Sequence, residues 1–129
     1  MPTNLSDIIT PEAYFKELTA TFPEITEKVQ GEDGEHFKME RFADYTIKQI
    51  KTNNISELKR CFDYQDEKIP LCPALENAMV VSYCESLLLG DVAPIIHNFT
   101  SYMKPRLFKM YNDYRIEYFD MLEKSNRKK

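Results

Sequence analysis

Apolar residues recur along this chain at the three- and four-residue spacing of an α-helix, and no stretch alternates with the period of two that a half-buried strand requires. Thr10-Pro11-Glu12 supplies a capping hydroxyl, a proline for the first turn and an acid near the positive helix end. Tyr14, Phe15, Leu18 and Phe22 then share one face until Pro23 breaks the helix, and a short piece over 24–30 keeps Ile25 and Val29 on one side. After the acidic turn Gly31-Glu32-Asp33-Gly34, the pattern predicts a helix over 35–51 with Phe37, Phe42, Tyr45, Ile47 and Ile50 inward. Thr52-Asn53-Asn54 ends it. Asn54 with Glu57 three residues on resembles a capping box, opening a helix that carries Leu58, Cys61 and Phe62 inward and fades near Glu67.

The segment from Pro73 to Leu89 reads differently. Ala78 to Leu89 is apolar on every side of a helical wheel and holds a single charge, Glu85. A helix of that kind needs neighbours all round, so it is expected to be an enclosed central rod, stopped by Gly90. Asp91 is expected to cap a short helix with Pro94 in its first turn and Ile95, Ile96, Phe99 and Met103 as its apolar members. Pro105 opens the last helix, where Leu107, Tyr111, Tyr114, Tyr118 and Met121 recur at steps of four, three, four and three as one stripe. Phe108, Phe119 and Leu122 form a second apolar set.

The expected architecture is all-α: six to seven helices in an irregular bundle or a short α-solenoid around the central apolar helix at about 73–89. Residues 1–129 are read as a single all-helical domain, with 1–9 and 125–129 as flexible ends. Three glycines in 129 residues fit this reading, since an all-β chain needs glycine at many turns. At this length a hydrophobic core can form without disulfides or metal.

Charge and cysteine content narrow the function classes. A net charge of −4 disfavours nonspecific nucleic-acid and anionic-membrane binding, both of which want a basic surface. The exception is the basic end, Lys124 and then Arg127-Lys128-Lys129. The start of the chain lacks the basic and apolar regions of a signal peptide, and no apolar run reaches the roughly 18 residues of a membrane span. With three unclustered cysteines, a cytoplasmic setting with free thiols is expected. No close-spaced His or Cys pair suggests zinc, and no glycine-rich phosphate loop occurs, so no metal and no cofactor is expected.

Three sets of residues remain as candidates. Glu85 shares a helix face with apolar groups and must be paired, hydrogen-bonded or protonated. With Cys84 and His97 it could line a pocket, as a general base or a group that grips a ligand. Tyr111, Tyr114 and Tyr118 are amphipathic groups favoured at protein interfaces. Glu32, Asp33 and Glu35 could steer a basic partner.

Three pieces in order carry a resemblance: Tyr14-Phe15-Lys16-Glu17-Leu18 through Phe22-Pro23-Glu24-Ile25, then Glu57-Leu58-Lys59-Arg60-Cys61-Phe62-Asp63-Tyr64, then Leu75-Glu76-Asn77-Ala78 through Ser82-Tyr83-Cys84-Glu85-Ser86-Leu87. Together they resemble an uncharacterised bacterial family of small all-helical proteins, similar in kind to the small acidic immunity proteins that neutralise toxins. The resemblance implies no catalytic residue. The expected function is a non-catalytic protein-binding module, immunity-like or an adaptor, with another protein as partner or a homodimer through the C-terminal helix. The alternative is a helical small-molecule-binding or enzymatic domain with its pocket around Glu85.

Overall fold

Helix boundaries follow local capping chemistry. In the computed structural model, which describes residues 8–29 and 34–127, α1 (Pro11–Thr21) begins where the Thr10 hydroxyl accepts the Ala13 N–H at 3.2 Å. A 3-10 turn (Pro23–Ile25) and the short α2 (Thr26–Val29) follow the break at Pro23. α3 (Glu35–Lys51) stops at Asn53, whose φ of 54° lies in the left-handed region that Asn visits more readily than most residues. There the Asn54 N–H donates to the Gln49 carbonyl at 2.8 Å and the Asn53 N–H to Ile50 at 3.1 Å, the paired bonds of a Schellman stop. Asn54 then opens α4 (Ile55–Lys68) by accepting the Glu57 N–H at 3.3 Å. The capping box is half made. The Asn54 N–H is already engaged, and the Glu57 carboxylate instead accepts the Tyr45 hydroxyl and pairs with Arg60 at 2.5 Å.

The expected central helix is one rod of 17 residues in three parts: α5 (Pro73–Ala78), a π-helical turn (Met79–Cys84) and α6 (Glu85–Leu89). It ends at Gly90, where an added Cβ would lie 2.3 Å from the Ser86 carbonyl oxygen. The short helix expected after Asp91 is not formed. Turns over 91–95 lead into two 3-10 turns, Ile96–Asn98 and Thr100–Tyr102. Asp91 pairs with Lys51 at 2.9 Å instead of capping, and Val92 is buried while Ile95 faces solvent. α7 (Pro105–Arg127) is the longest element, at 23 residues.

Counting the rod once, the described residues hold six helical bodies in an irregular all-α bundle, with the isolated parallel bridge Ile9–Leu71 as the β-type pairing among them. α3 and the rod share the centre. The Phe42 and Tyr83 rings lie 5.4 Å apart, and the Thr46 and Tyr83 hydroxyls are 2.8 Å apart in the core. α7 lies against α4 and the π-helical turn, and α1 and α2 pack together beside α3. The rod is not enclosed as expected: Val80 and Val81 are half-buried and Leu89 is 43% exposed. The wide π-helical turn brings Ser82, Tyr83 and Cys84 in succession to the buried side, so the long apolar run reflects a broadened inner face. Phe37, expected inward, is exposed beneath the Arg41 guanidinium, 4.9 Å from its ring centroid. Of the ends expected to be flexible, Ile9 forms the bridge and α7 runs through Arg127, while residues 1–7 and 128–129 lie outside the described ones.

Several polar groups inside the bundle are matched to partners, while Arg41 Nε is buried without a hydrogen bond. The Tyr14 hydroxyl donates to Gln65, whose amide reaches the Met39 sulfur at 3.4 Å, and the Tyr64 hydroxyl donates to the Tyr14 carbonyl at 2.6 Å. α7 starts without a capping side chain of its own, since Lys104 precedes Pro105. Asp66, buried at the end of α4, accepts the Leu107 N–H at 2.9 Å and so caps α7 from another helix. Arg106 adds a bond to the Ile69 carbonyl at 2.8 Å, and Lys104 pairs with Asp63 at 3.4 Å.

Two outcomes follow. Asp66→Ala removes the remote cap and is expected to lower stability by about 1–2 kcal/mol in chemical denaturation, with Asp66→Asn retaining most of it; equal midpoints for wild type and Asp66→Ala would contradict the capping role. Burial holds the Tyr14, Tyr64 and Tyr83 hydroxyls above the usual tyrosine value of 10.0. The folded state thus retains protons that the unfolded chain releases, so its stability is intact below pH 10 and falls as pH rises through the raised values. The part of the tyrosinate absorbance that these three of the eight tyrosines contribute should therefore appear together with loss of helicity in an alkaline titration. Ionisation of these groups with helicity retained would count against it.

Candidate interaction surface

α7 is half docked and half free. Leu107 and Tyr111 are buried against the bundle, Tyr114 and Tyr118 are half-buried, and every residue from Phe119 to Asn126 is exposed. The inward stripe thus runs off the edge of the body: its last expected member, Met121, is 57% exposed, and Leu122 beside it 38%. Ile116 and Phe119 extend the apolar arc, at 54% and 50%. The cause is length. α4 and the rod, against which α7 lies, span 14 and 17 residues against 23 for α7, so α7 exceeds the longer of them by roughly 9 Å of helix. Phe119 stacks edge-on against Tyr118, at 5.5 Å between centroids, so the aromatic pair marks where docking ends.

Of the three tyrosines expected to supply contact area, Tyr111 is enclosed and offers none. Tyr114 donates its hydroxyl to Glu85 Oε1 at 2.8 Å, and Tyr118 borders the free end. Burial first, then that hydrogen bond, pushes the Tyr114 hydroxyl up to about 12. Glu85, the lone charge of the rod, is half-buried and meets its need for a partner there. Cys84 is fully buried, and burial pushes its thiol up to about 12, which leaves it a poor nucleophile. His97 is exposed on the first 3-10 turn after the rod. An enclosed thiol and an exposed imidazole share no solvent-facing site. Glu32 and Asp33 lie outside the described residues, and Glu35 sits half-buried in the first turn of α3.

Two arrangements escaped the sequence reading. His36 Nδ1 lies 2.8 Å from the Ser82 hydroxyl and its Nε2 lies 3.2 Å from the Asn77 amide, joining α3 to the rod. Ser82 is buried inside the π-helical turn, where backbone N–H groups serve the helix and none is left to hold an oxyanion. The other is a cleft of about 320 Å³ between Ile69, Glu76 and Val80 and the α7 residues Arg106, Met110 and Tyr114. Two of its charged groups are engaged, Arg106 on the Ile69 carbonyl and Lys109 on Asp113 at 2.7 Å, and Glu76 and Glu117 add two carboxylates to the lining. Neither could be found from local spacing, because each joins helices far apart in the chain. Among the described residues no three of His, Cys, Asp and Glu gather as a metal-binding group, and no helix is long and apolar enough to cross a membrane.

No curated protein and no solved structure matches the chain. Residues 15–119 match the family described as domain of unknown function DUF7674, a span that covers most of the bundle and ends where α7 leaves it. The chain belongs to that family.

Proposed function

We propose that this chain is a non-catalytic protein-binding module whose contact surface is the overhanging end of α7. The observation that carries the reading is the unbroken exposure from Phe119 to Asn126, with Phe119, Met121 and Leu122 held in water by a helix that has outrun its core. Full burial of one such side chain stabilises by roughly 1.5–3 kcal/mol, so covering the arc supplies the driving force for association. Lys124, Arg127, Lys128 and Lys129 make this end basic. A partner that fits presents an apolar surface with acidic side chains at its rim. The negative charge of Glu32, Asp33 and Glu35 acts in the opposite sense, steering basic surfaces toward the body. The setting we propose is the cytoplasm of a bacterial cell, with an adaptor or immunity-like role that rests on the resemblance to small acidic immunity proteins.

The rival reading, a small-molecule or enzymatic site at Glu85, draws its support from the cleft that Tyr114 lines. It is the weaker reading because one Glu85 oxygen is taken up by Tyr114 and the neighbouring thiol is enclosed.

A photoreactive residue introduced at Phe119 in the native cell tests the proposal. The expected result is a covalent adduct with a protein, absent when the same residue replaces the exposed Lys48 on α3. Adducts from both positions, or from neither, would overturn it.

A further inference from the structure

We infer that the cleft between the rod and the docked half of α7 binds a free basic α-amino acid, lysine or arginine. The site lies apart from the overhanging end, asks nothing of Glu85 and makes or breaks no bond. Two cross-links fix how the cleft runs. Arg106 meets the Ile69 carbonyl just before the rod begins, and Tyr114 meets Glu85 in α6. α7 and the rod therefore pass each other in the same direction. Arg106 and Glu76 stand at one end of the cleft and Glu117 at the other, with the half-buried Val80, Met110 and Tyr114 between them. At about 320 Å³ the cleft is at the small end of the range for ligand pockets, which suits a single amino acid.

The charges left over in the cleft select the ligand. Lys109 and Asp113 satisfy each other at 2.7 Å. Arg106 uses one of its five N–H donors on the Ile69 carbonyl. Glu76 and Glu117 meet no cation among the described residues, and no Lys or Arg stands three or four positions from either on its own helix. Each unmatched group has its counterpart on a basic amino acid. The α-carboxylate goes to Arg106, the α-ammonium to Glu76 and the side-chain cation to Glu117, while the aliphatic stem lies over Val80, Met110 and the Tyr114 ring. α7 rises roughly 16 Å from Arg106 to Glu117. An extended ligand with a long side chain and a hydrogen bond of about 3 Å at each end covers that span. Other ligands leave a charge opposed or unmatched. A polyamine sets a cation against Arg106, an apolar amino acid leaves Glu117 alone, and an acidic one meets like charge there.

Titration calorimetry of the purified full chain with arginine and with lysine tests the inference. The expected result is saturable binding of one ligand per chain. Binding should weaken about tenfold when the α-carboxylate is missing, as in agmatine or cadaverine, and about tenfold when the side-chain cation is missing, as in norleucine. Glu117→Gln should bring lysine down to the level of norleucine and leave norleucine unchanged, and Glu76→Gln should weaken both. Both carboxylates are exposed and hold no contact of the fold, so helicity should be unchanged in each variant. Glu12→Gln, which removes an exposed carboxylate on α1, should leave binding as it is. Agmatine binding as tightly as arginine would overturn the inference, because it would reduce the site to general attraction by an acidic surface. Equal weakening by Glu12→Gln, or no saturable binding of arginine and lysine at millimolar concentration, would overturn it as well.

Discussion

The contact between α3 and the π-helical turn of the rod is the constraint on which the rest of the bundle is arranged. α3 alone brings Met39, Phe42, Ala43, Thr46, Ile47 and Ile50 to the interior, and the turn answers with Met79, Tyr83 and Cys84. A tyrosine as large as Tyr83 can be fully enclosed there because Thr46 gives its hydroxyl a partner; an unmatched hydroxyl in the same place would cost about 1–3 kcal/mol. With that pair fixed, α4 and α7 close one flank, and α1 and α2 pack beside α3. Glu85, one residue beyond the turn, then falls at the margin of the core, where Tyr114 can reach it.

What could be read in the chain was what local chemistry decides. Thr10-Pro11, Asn54 and Pro105 each open a helix where expected, because a cap or a first-turn proline acts within three residues of its own position. What could not be read was decided across the fold. The start of α7 shows only Lys104 and Pro105 locally; its cap, Asp66, lies on α4. Gln65 sits in a run that reads as polar, yet it is buried because Tyr14 needs an acceptor. The enclosed rod was the most instructive departure. An apolar run with no polar face predicts a helix surrounded on all sides, whereas an inserted π-helical turn produces the same run by turning three successive residues inward.

The candidate surface was legible in part for a related reason. Periodicity marks which side of a helix is apolar, and the stripe from Leu107 to Met121 was plain. Periodicity does not mark where the neighbouring helices stop. Tyr111 and Met121 belong to the same stripe, yet one is in the core and the other in water, because the body ends between them. Helix lengths carry the missing information, since 23 residues cannot be covered by neighbours of 14 and 17 lying side by side with them.

The position of that boundary also limits what the binding surface can mean. The match to the family ends at Phe119, the first residue of the unbroken exposed run that forms the overhang. Most of the bundle, from Phe15 to the docked half of α7, lies inside the matched span, whereas Ile9 and the core residue Tyr14 precede it and Asp120, Met121, Leu122 and Lys124 follow it. The interior explains why this sequence folds as it does, through the Tyr83–Thr46 and Tyr14–Gln65 pairs and the Asp66 cap. The overhang is needed for none of those contacts. Stability therefore gives no reason to keep three large apolar groups in water on a helix that could have ended at Tyr118, whereas contact with another protein does. For that reason the proposed association is a statement about this chain and its helix end, and the family's shared bundle is the scaffold that holds the end clear of the body.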